Sequence, residues 1–439
     1  MMQAAQTSMA EYERSMERDY PVNLFAIVGW NFLWGFGLPF AMFSTSVPAY
    51  LGVLRAPKVL IGFILSFPML FSSAQIVAGY LVPAEKRLVI FRWLMLCCPL
   101  PWFLYSFAGF FGGEAWPPWF HFVAFTFSQA CFMGLMCLTG SLYWEIMTDN
   151  TPLRKRGLLF GLRMVAMGFP ALAMGFVANR VIAFWPSPRN FHAAFVIGAA
   201  IYSLSSLILW RLRDHVNPTH ASERTLRASS FLRYLSGTLH RLWSNPNYRV
   251  FIFFMVLLCI AANAAPFMVD AARIQLHASS QAQGGFSIAY LASILCVGWG
   301  TGMLADKFGY RLIGSVTSFI MALAFLICLV SARMFLWYLA YGIYAISINI
   351  TAMLLCNMGV ELCPKEQPSG ILAGGNILLV CFVMFGTTIS GWVVDKVGSY
   401  QPVFVANFVL SIVAMFGFAL IVREPRRGKL YTIVLAPRN

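Results

Sequence analysis

The chain has 439 residues, 59% of them hydrophobic and 11% charged, with a mean hydropathy of +0.72. A soluble globular protein carries roughly 25% charged residues, so a water-covered globule is excluded and a membrane protein is expected. The net charge of +15 would suit a nucleic-acid partner only if the bases formed one patch.

The opening residues, MMQAAQTSMAEYERSMERDY, are polar and lack the pattern of a cleavable signal. The first apolar segment is therefore expected to direct insertion and to stay. An apolar run of about 20 residues crosses a bilayer as a helix, because its backbone polar groups must be satisfied within the segment. Twelve such spans follow in order: 22–45, 59–82, 88–111, 118–146, 157–183, 192–212, 248–270, 283–304, 311–331, 334–358, 370–393 and 400–423. The expected fold class is an all-α membrane protein of twelve transmembrane helices.

The longest polar stretch between spans, 213–247, divides them six and six. The expected organisation is a cytoplasmic tail (1–21), a six-helix bundle (22–212), a linker (213–247), a second six-helix bundle (248–423) and a second tail (424–439). Within the linker Leu226, Leu232, Leu235, Leu239 and Leu242 recur at helical spacing among Arg227, Arg233 and Arg241. That pattern fits a helix lying on the membrane surface, or a simple tether.

An even number of spans puts both termini on one side. If that side is the cytoplasm, seven bases (Arg55, Lys58, Arg180, Arg189, Arg273, Arg333 and Lys396) lie outside and 24 of the 31 inside. Excess Lys and Arg in inner loops is the usual topological signal. The expected location is thus a multi-pass protein of the inner membrane with both termini cytoplasmic. Spread over many loops, the bases form no patch for nucleic acid. The ten cysteines sit in or beside apolar segments with neither zinc-finger nor disulfide spacing. A monomer is expected, with a small solute and the lipid bilayer as its partners, and no cofactor is implied.

The two halves read as copies. Leu38-Pro39-Phe40 answers Ala265-Pro266-Phe267, and Gly79 at the end of span 2 answers Gly302 at the end of span 8. Glu145-x-x-x-Asp149-x-x-Pro152 answers Glu361-x-x-Pro364. The offsets of 227, 223 and about 213 residues agree to within loop drift. Two parallel six-helix pseudo-repeats are a known transporter plan.

Between spans 8 and 9 the turn reads GMLADKFGYR, Gly302 to Arg311. Gly302, Leu304, Ala305, Asp306, Gly309 and Arg311 match position for position the signature turn of the major facilitator superfamily, which the chain therefore resembles. Asp149-Asn-Thr-Pro-Leu-Arg-Lys-Arg156-Gly157 looks like that family's second inner turn, and Gly391-Trp-Val-Val-Asp395-Lys-Val-Gly398-Ser-Tyr400 is similar to its late outer loop. The resemblance implies two bundles that rock about a midplane site, with these turns as conformational latches. On this reading Gly302 allows helices to approach, and Gly309 permits a left-handed turn. Asp306 sits near the positive N-terminus of span 11, and Arg311 pairs with Asp306 or Glu361. The first half departs from the pattern, with Pro83 where the family's aspartate would stand and Glu85 displaced by two. Arg87 or Arg92, paired with Glu145 or Asp149, would compensate.

Polar side chains within a span usually face a cavity or a partner helix. The resemblance makes spans 1, 4, 7 and 10 the cavity helices. Their candidates are Asn31 and Trp34, then Gln129, then Asn263, then Tyr341, Tyr344 and Ser347, with Gln75 and Tyr290 from peripheral spans. Arg163 lies six residues past Gly157, about 9 Å into its helix. There it either snorkels back to the headgroups or lines the cavity and attracts an anionic group. No Asp or Glu falls near the middle of a span, and the histidines (121, 192, 215, 220, 240 and 277) lie in or near loops. That pattern favours uniport, or coupling through Glu145 or Asp270 at the span ends, over a proton site within the pathway.

No Walker loop, metal-ligand spacing or nucleophile motif is present, so an enzyme is not expected. The expected function is secondary active or facilitative transport of a small organic solute by alternating access. The alternative, for which Pro83 speaks, is a transporter-like sensor, assembly factor or organelle scaffold. A channel fits the duplicated turns less well.

Overall fold

The structure is a computed structural model that describes residues 2–43, 45–152, 155–216, 231–262, 265–277, 280–362 and 368–424. Every described element is helical. Among the described residues ten helices are long and apolar enough to cross a membrane, and two shorter apolar ones, Lys58–Ser72 and Gly284–Val297, fall on the second and eighth expected spans. Large apolar side chains such as Phe127, Phe169, Val330 and Leu420 are more than two-thirds exposed. Such a surface suits lipid, which does not penalise apolar exposure as water does.

Proline decides where several spans break. The second is three short helices, Lys58–Leu65, Phe67–Ser72 and Gln75–Leu81. Pro68 has no N–H to return to the preceding turn. On either side, the hydroxyls of Ser66 and Ser73 donate to the carbonyls of Phe63 and Leu70, both at 2.6 Å, a pattern that bends helices. Pro99 and Pro101 likewise divide the third span into Arg87–Cys97 and Leu100–Gly112.

The first helix, Met2–Gly37, begins well before the expected span and absorbs the predicted tail. Its first five turns are rich in Ala, Met, Glu and Arg, good helix formers, and Glu13–Glu17 alternate with Arg14–Arg18. Leu226 and Arg227 lie outside the described residues. Phe231–Ser244 is a helix, with Leu242 buried and Trp243 half exposed.

The chain forms two compact units, and their boundaries differ from a simple division into halves. The first contains 1–56, 70–235 and 280–291; the second contains 57–69, 236–279 and 292–439. Part of span 2 therefore packs with the second half, and part of span 8 with the first. Glycine makes the former contact. A Cβ on Gly62 would come within 2.5 Å of the Thr387 carbonyl, and one on Gly391 within 2.3 Å of the Lys58 carbonyl. Hydrophobicity alone carries no record of such an exchange, because both alternatives bury the same residues.

An aromatic column fills the first unit. Trp34 stacks on Tyr202 at 4.0 Å; Trp102 stacks on Phe132 at 5.1 Å and on Phe195 at 4.9 Å. Phe125 and Tyr50 continue the column, with ring centroids 5.1 Å apart. Aromatic pairs at these separations contribute about 0.5–1.5 kcal/mol each beyond their buried area.

Candidate functional site

One end of the first unit is held by charge. Arg87 donates to Asp149 (2.6 Å) and to Asp214 through Nε (2.9 Å) and Nη2 (2.8 Å), with Arg87 and Asp149 each 1% exposed. Asn150 donates to Asp214 at 2.7 Å and accepts the backbone N–H of His215 at 2.8 Å. Asp19 accepts from Arg213 and His215, while Asn23 exchanges two hydrogen bonds with the Arg213 backbone. Residues 213–215, expected to be free linker, are therefore stapled to the bundle. The sequence offered Arg87 or Arg92 with Glu145 or Asp149, and the structure joins Arg87 to Asp149 and also to Asp214, which is remote in the chain and unmarked by any motif.

The corresponding end of the second unit uses backbone acceptors. Arg311 donates through Nε to the carbonyl of Phe418 (3.2 Å) and through Nη2 to that of Ala419. Its described bonds thus go to the last turn of the Gln401–Ile421 segment and not to the acid pairs expected from the sequence. Helix C-termini carry unsatisfied carbonyls and partial negative charge, so a guanidinium fits there. The first unit repeats the device: Arg92 donates to the carbonyls of Leu209 (3.0 Å), Trp210 (3.2 Å) and Leu212 (2.5 Å) at the end of its sixth span. This internal duplication was invisible in the sequence, because the acceptors are backbone atoms.

Gly309 has φ 87° and ψ 158°. The positive φ was expected, but ψ places it in an extended region nearly exclusive to glycine and not in a left-handed turn. The helix Tyr310–Val330 that follows has no cap of its own, and Glu424 accepts the Arg311 backbone N–H at 2.8 Å instead. Glu361 and Glu145 are half-buried near the ends of Met334–Leu362 and Pro118–Asp149. Arg156, Gly157, Gly302 and Asp306 lie on helices, with their side chains outside the described residues; Asn263 is outside them altogether.

Asp395 performs a second remote cap. Its two oxygens accept the backbone N–H groups of Lys58 and Val59, each at 3.1 Å, at the start of Lys58–Leu65. Beside it the Asp270 carboxylate binds the Lys58 ammonium, the Tyr400 hydroxyl and, at 3.1 Å, Arg273. Burial, and then the neighbouring Asp270 carboxylate, push the Tyr400 phenol well above its ordinary range. Tyr400 therefore remains a donor. Asp395 was expected to act in a latch, in one motif with Tyr400; Lys58 and Asp270 were not joined to it by any spacing.

Three of the predicted cavity residues converge in the first unit. Arg163 donates to the Tyr143 hydroxyl and lies 5.2 Å from the centroid of that ring. The guanidinium is thus engaged with the neighbouring helix. The Asn31 amide, which donates to the Ile27 carbonyl at 2.8 Å, lies beside the Tyr143 hydroxyl, and Trp30 packs 5.7 Å from its ring. Gln75 lies against Gly140, one turn away, where a Cβ would come within 2.7 Å of its Nε2. Tyr143 and Trp30 were missed, since an aromatic in a membrane helix carries no mark of its role.

Other candidates are interior. Trp34 belongs to the aromatic column, and Gln129 is fully buried, with neither amide atom partnered among the described residues. In the second unit Tyr341 stacks on Tyr344, which donates to the Ala262 carbonyl, and Ser347 donates to the Thr317 carbonyl at 3.0 Å. All three are fully buried, while Tyr290 is half-buried. A small cavity bounded by Pro39, Thr45, Asn179 and Ser287 contains none of the predicted cavity residues.

Among solved structures, the chain is similar to nucleoside transporter NupG, with 16% identity and a TM-score of 0.59 over 90% of this chain and 98% of that one. It is similar to the inward-open xylose transporter XylE from E. coli, with 12% identity and a TM-score of 0.61 over 91% and 96%. A POT family transporter in complex with 5-aminolevulinic acid gives 12% identity and a TM-score of 0.64 over 93% and 96%. These likenesses show the fold. No curated protein matches the sequence. The profile of the Major Facilitator Superfamily matches residues 92–360, more than half of the chain. With the helical architecture and the signature turn in agreement, the chain belongs to the major facilitator superfamily, a multi-pass membrane transporter of small solutes by alternating access.

Proposed function

We propose that the solute is met in the first unit by Asn31, Gln75, Tyr143 and Arg163. The observation that carries this reading is that a cation, a phenol and two amides from four different spans gather around Gly140–Tyr143. Amides and a phenol suit hydroxyl, carbonyl or ring-nitrogen groups, and a guanidinium suits a carboxylate or phosphate. The similar structures named for nucleoside, xylose and 5-aminolevulinic acid are compatible with polar solutes of this size. The proposed location is the inner membrane with both termini cytoplasmic, for which the seven-to-24 division of bases speaks.

The latch residues divide by mechanism. Arg87–Asp149, Arg92 and Arg311 brace their own bundles, while Asp395 and Asp270 hold the Lys58–Leu65 helix. Releasing that helix would break one ion pair and one cap.

The test is a thermal-shift screen of the purified protein against small metabolites, since specific binding raises the melting temperature. Any hit then enters counterflow in proteoliposomes with wild type and Arg163→Gln. Saturable counterflow lost in the variant supports the site. Unchanged uptake and preference in Arg163→Gln would refute it.

A further inference from the structure

Two histidines expected in or near loops lie in the first turns of their helices and are buried together. His121 is 4% and His192 0% exposed, and both face Tyr50 and Tyr105, which are 0% and 8% exposed. The Tyr50 hydroxyl lies 2.6 Å from the Tyr105 hydroxyl and 3.3 Å from both His121 Nδ1 and His192 Nε2. Tyr105 is also 3.3 Å from His121 Nδ1, and His121 Nε2 is 2.9 Å from the Gly113 carbonyl.

The proton positions follow from the acceptors. A carbonyl only accepts, so His121 Nε2 carries a proton and Nδ1 of the neutral ring is bare. Hydrogen bonds then run one way: His192 Nε2–H to Tyr50, Tyr50 to Tyr105, Tyr105 to His121 Nδ1, and His121 Nε2–H to Gly113. Each donor is used once. His192 Nδ1 remains, buried against Gly109 and without a partner among the described residues. The opposite tautomer would bury an unpaired N–H, which costs more than an unpaired lone pair.

An added proton has no good place in this chain. At His192 Nδ1 it creates a buried N–H with no acceptor among the described residues and a charge beside the rings of Tyr50, Tyr105 and Trp116. At His121 Nδ1 it must reverse Tyr105. Arg189, one turn before His192, donates through Nε to the Phe110 carbonyl (2.8 Å) and adds positive charge nearby. Glu114, beside Gly113, is exposed and bonds neither ring. The titratable groups hydrogen-bonded to the histidines are thus two phenols, neither of which neutralises an imidazolium.

We propose that Tyr50, Tyr105, His121 and His192 form an acid-sensitive fastening that holds the Ser46–Val53 helix to the first bundle. Neutral imidazoles complete the chain of bonds. Acid breaks it, because below the imidazole range the open state binds protons that the closed state excludes, so stability falls with pH. The helix released leads directly into Lys58–Leu65, so acid on that side loosens the entry to the second span.

The full-length protein in detergent micelles tests this by melting temperature and by hydrogen exchange between about pH 7 and about pH 5, where imidazole titrates. His192→Gln keeps an N–H for Tyr50 and removes the titrating lone pair. Wild type should lose several degrees more than His192→Gln across the range; equal losses overturn the proposal. Independently of any variant, wild-type exchange corrected for intrinsic rates should rise tenfold or more on acidification in 46–53 and 105–121 while 310–330 stays constant. A uniform rise, or none, overturns it as well.

Discussion

Arg87 places its guanidinium between Asp149 at 2.6 Å and Asp214 at 2.8 Å, joining the end of the fourth helix to the segment after the sixth. Removing one member of a buried ion pair leaves the other charge uncompensated, at a cost of about 3–5 kcal/mol. Arg87→Met, which strands two carboxylates, should therefore destabilise more than Asp149→Asn, which leaves Arg87 its bidentate bond to Asp214. Melting temperatures of the purified variants check the order, and reversal would show that Asp149 dominates the joint.

Gly309→Ala should destabilise the protein by about 1–3 kcal/mol. Its backbone lies where a side chain is strained, and the new Cβ would come within 2.5 Å of the Glu424 carboxylate. Glu424→Gln should cost less, because an amide oxygen still accepts the Arg311 N–H. Denaturation of both variants, measured side by side, reads the difference.

Glycines at close contacts should behave oppositely to those in open space. Gly391→Ala drives a Cβ onto the Lys58 backbone and should lose about 1–3 kcal/mol. Gly161, within a helix, has nothing within 4 Å of a built Cβ, and Gly161→Ala should gain about 0.5–1 kcal/mol. Melting curves that moved in the same direction for both would contradict this account of the contact.

Tyr400 sets a pH dependence at the alkaline end. Its phenol is raised above the ordinary 10.0 by burial and by Asp270. The unfolded chain ionises this group first, so its contribution to stability is complete below about pH 10 and declines as pH rises beyond it. Tyr400→Phe should be less stable at neutral pH by about 1 kcal/mol and lose less between about pH 9 and about pH 11. A pH series of melting temperatures tests the crossing trend.

Much of the architecture is written in the chain itself. Twelve apolar runs, glycine and proline at their ends, and the GMLADKFGYR turn determine helices, repeat and family, because a bilayer forces each span to satisfy its own backbone. The pairing of Arg87 with Asp149 was also within reach, since both are charges beside adjacent span ends. Tertiary structure decided the rest. It brought Asp214 to Arg87, Asp395 to the Lys58 backbone, and Tyr143 to Arg163, contacts between residues separated by 127, 337 and 20 positions. It also buried His121 and His192 together at the starts of two different helices. Hydropathy fixes which segments enter the membrane. Which faces meet there depends on glycine clearances and single hydrogen bonds, which leave no periodic trace in sequence.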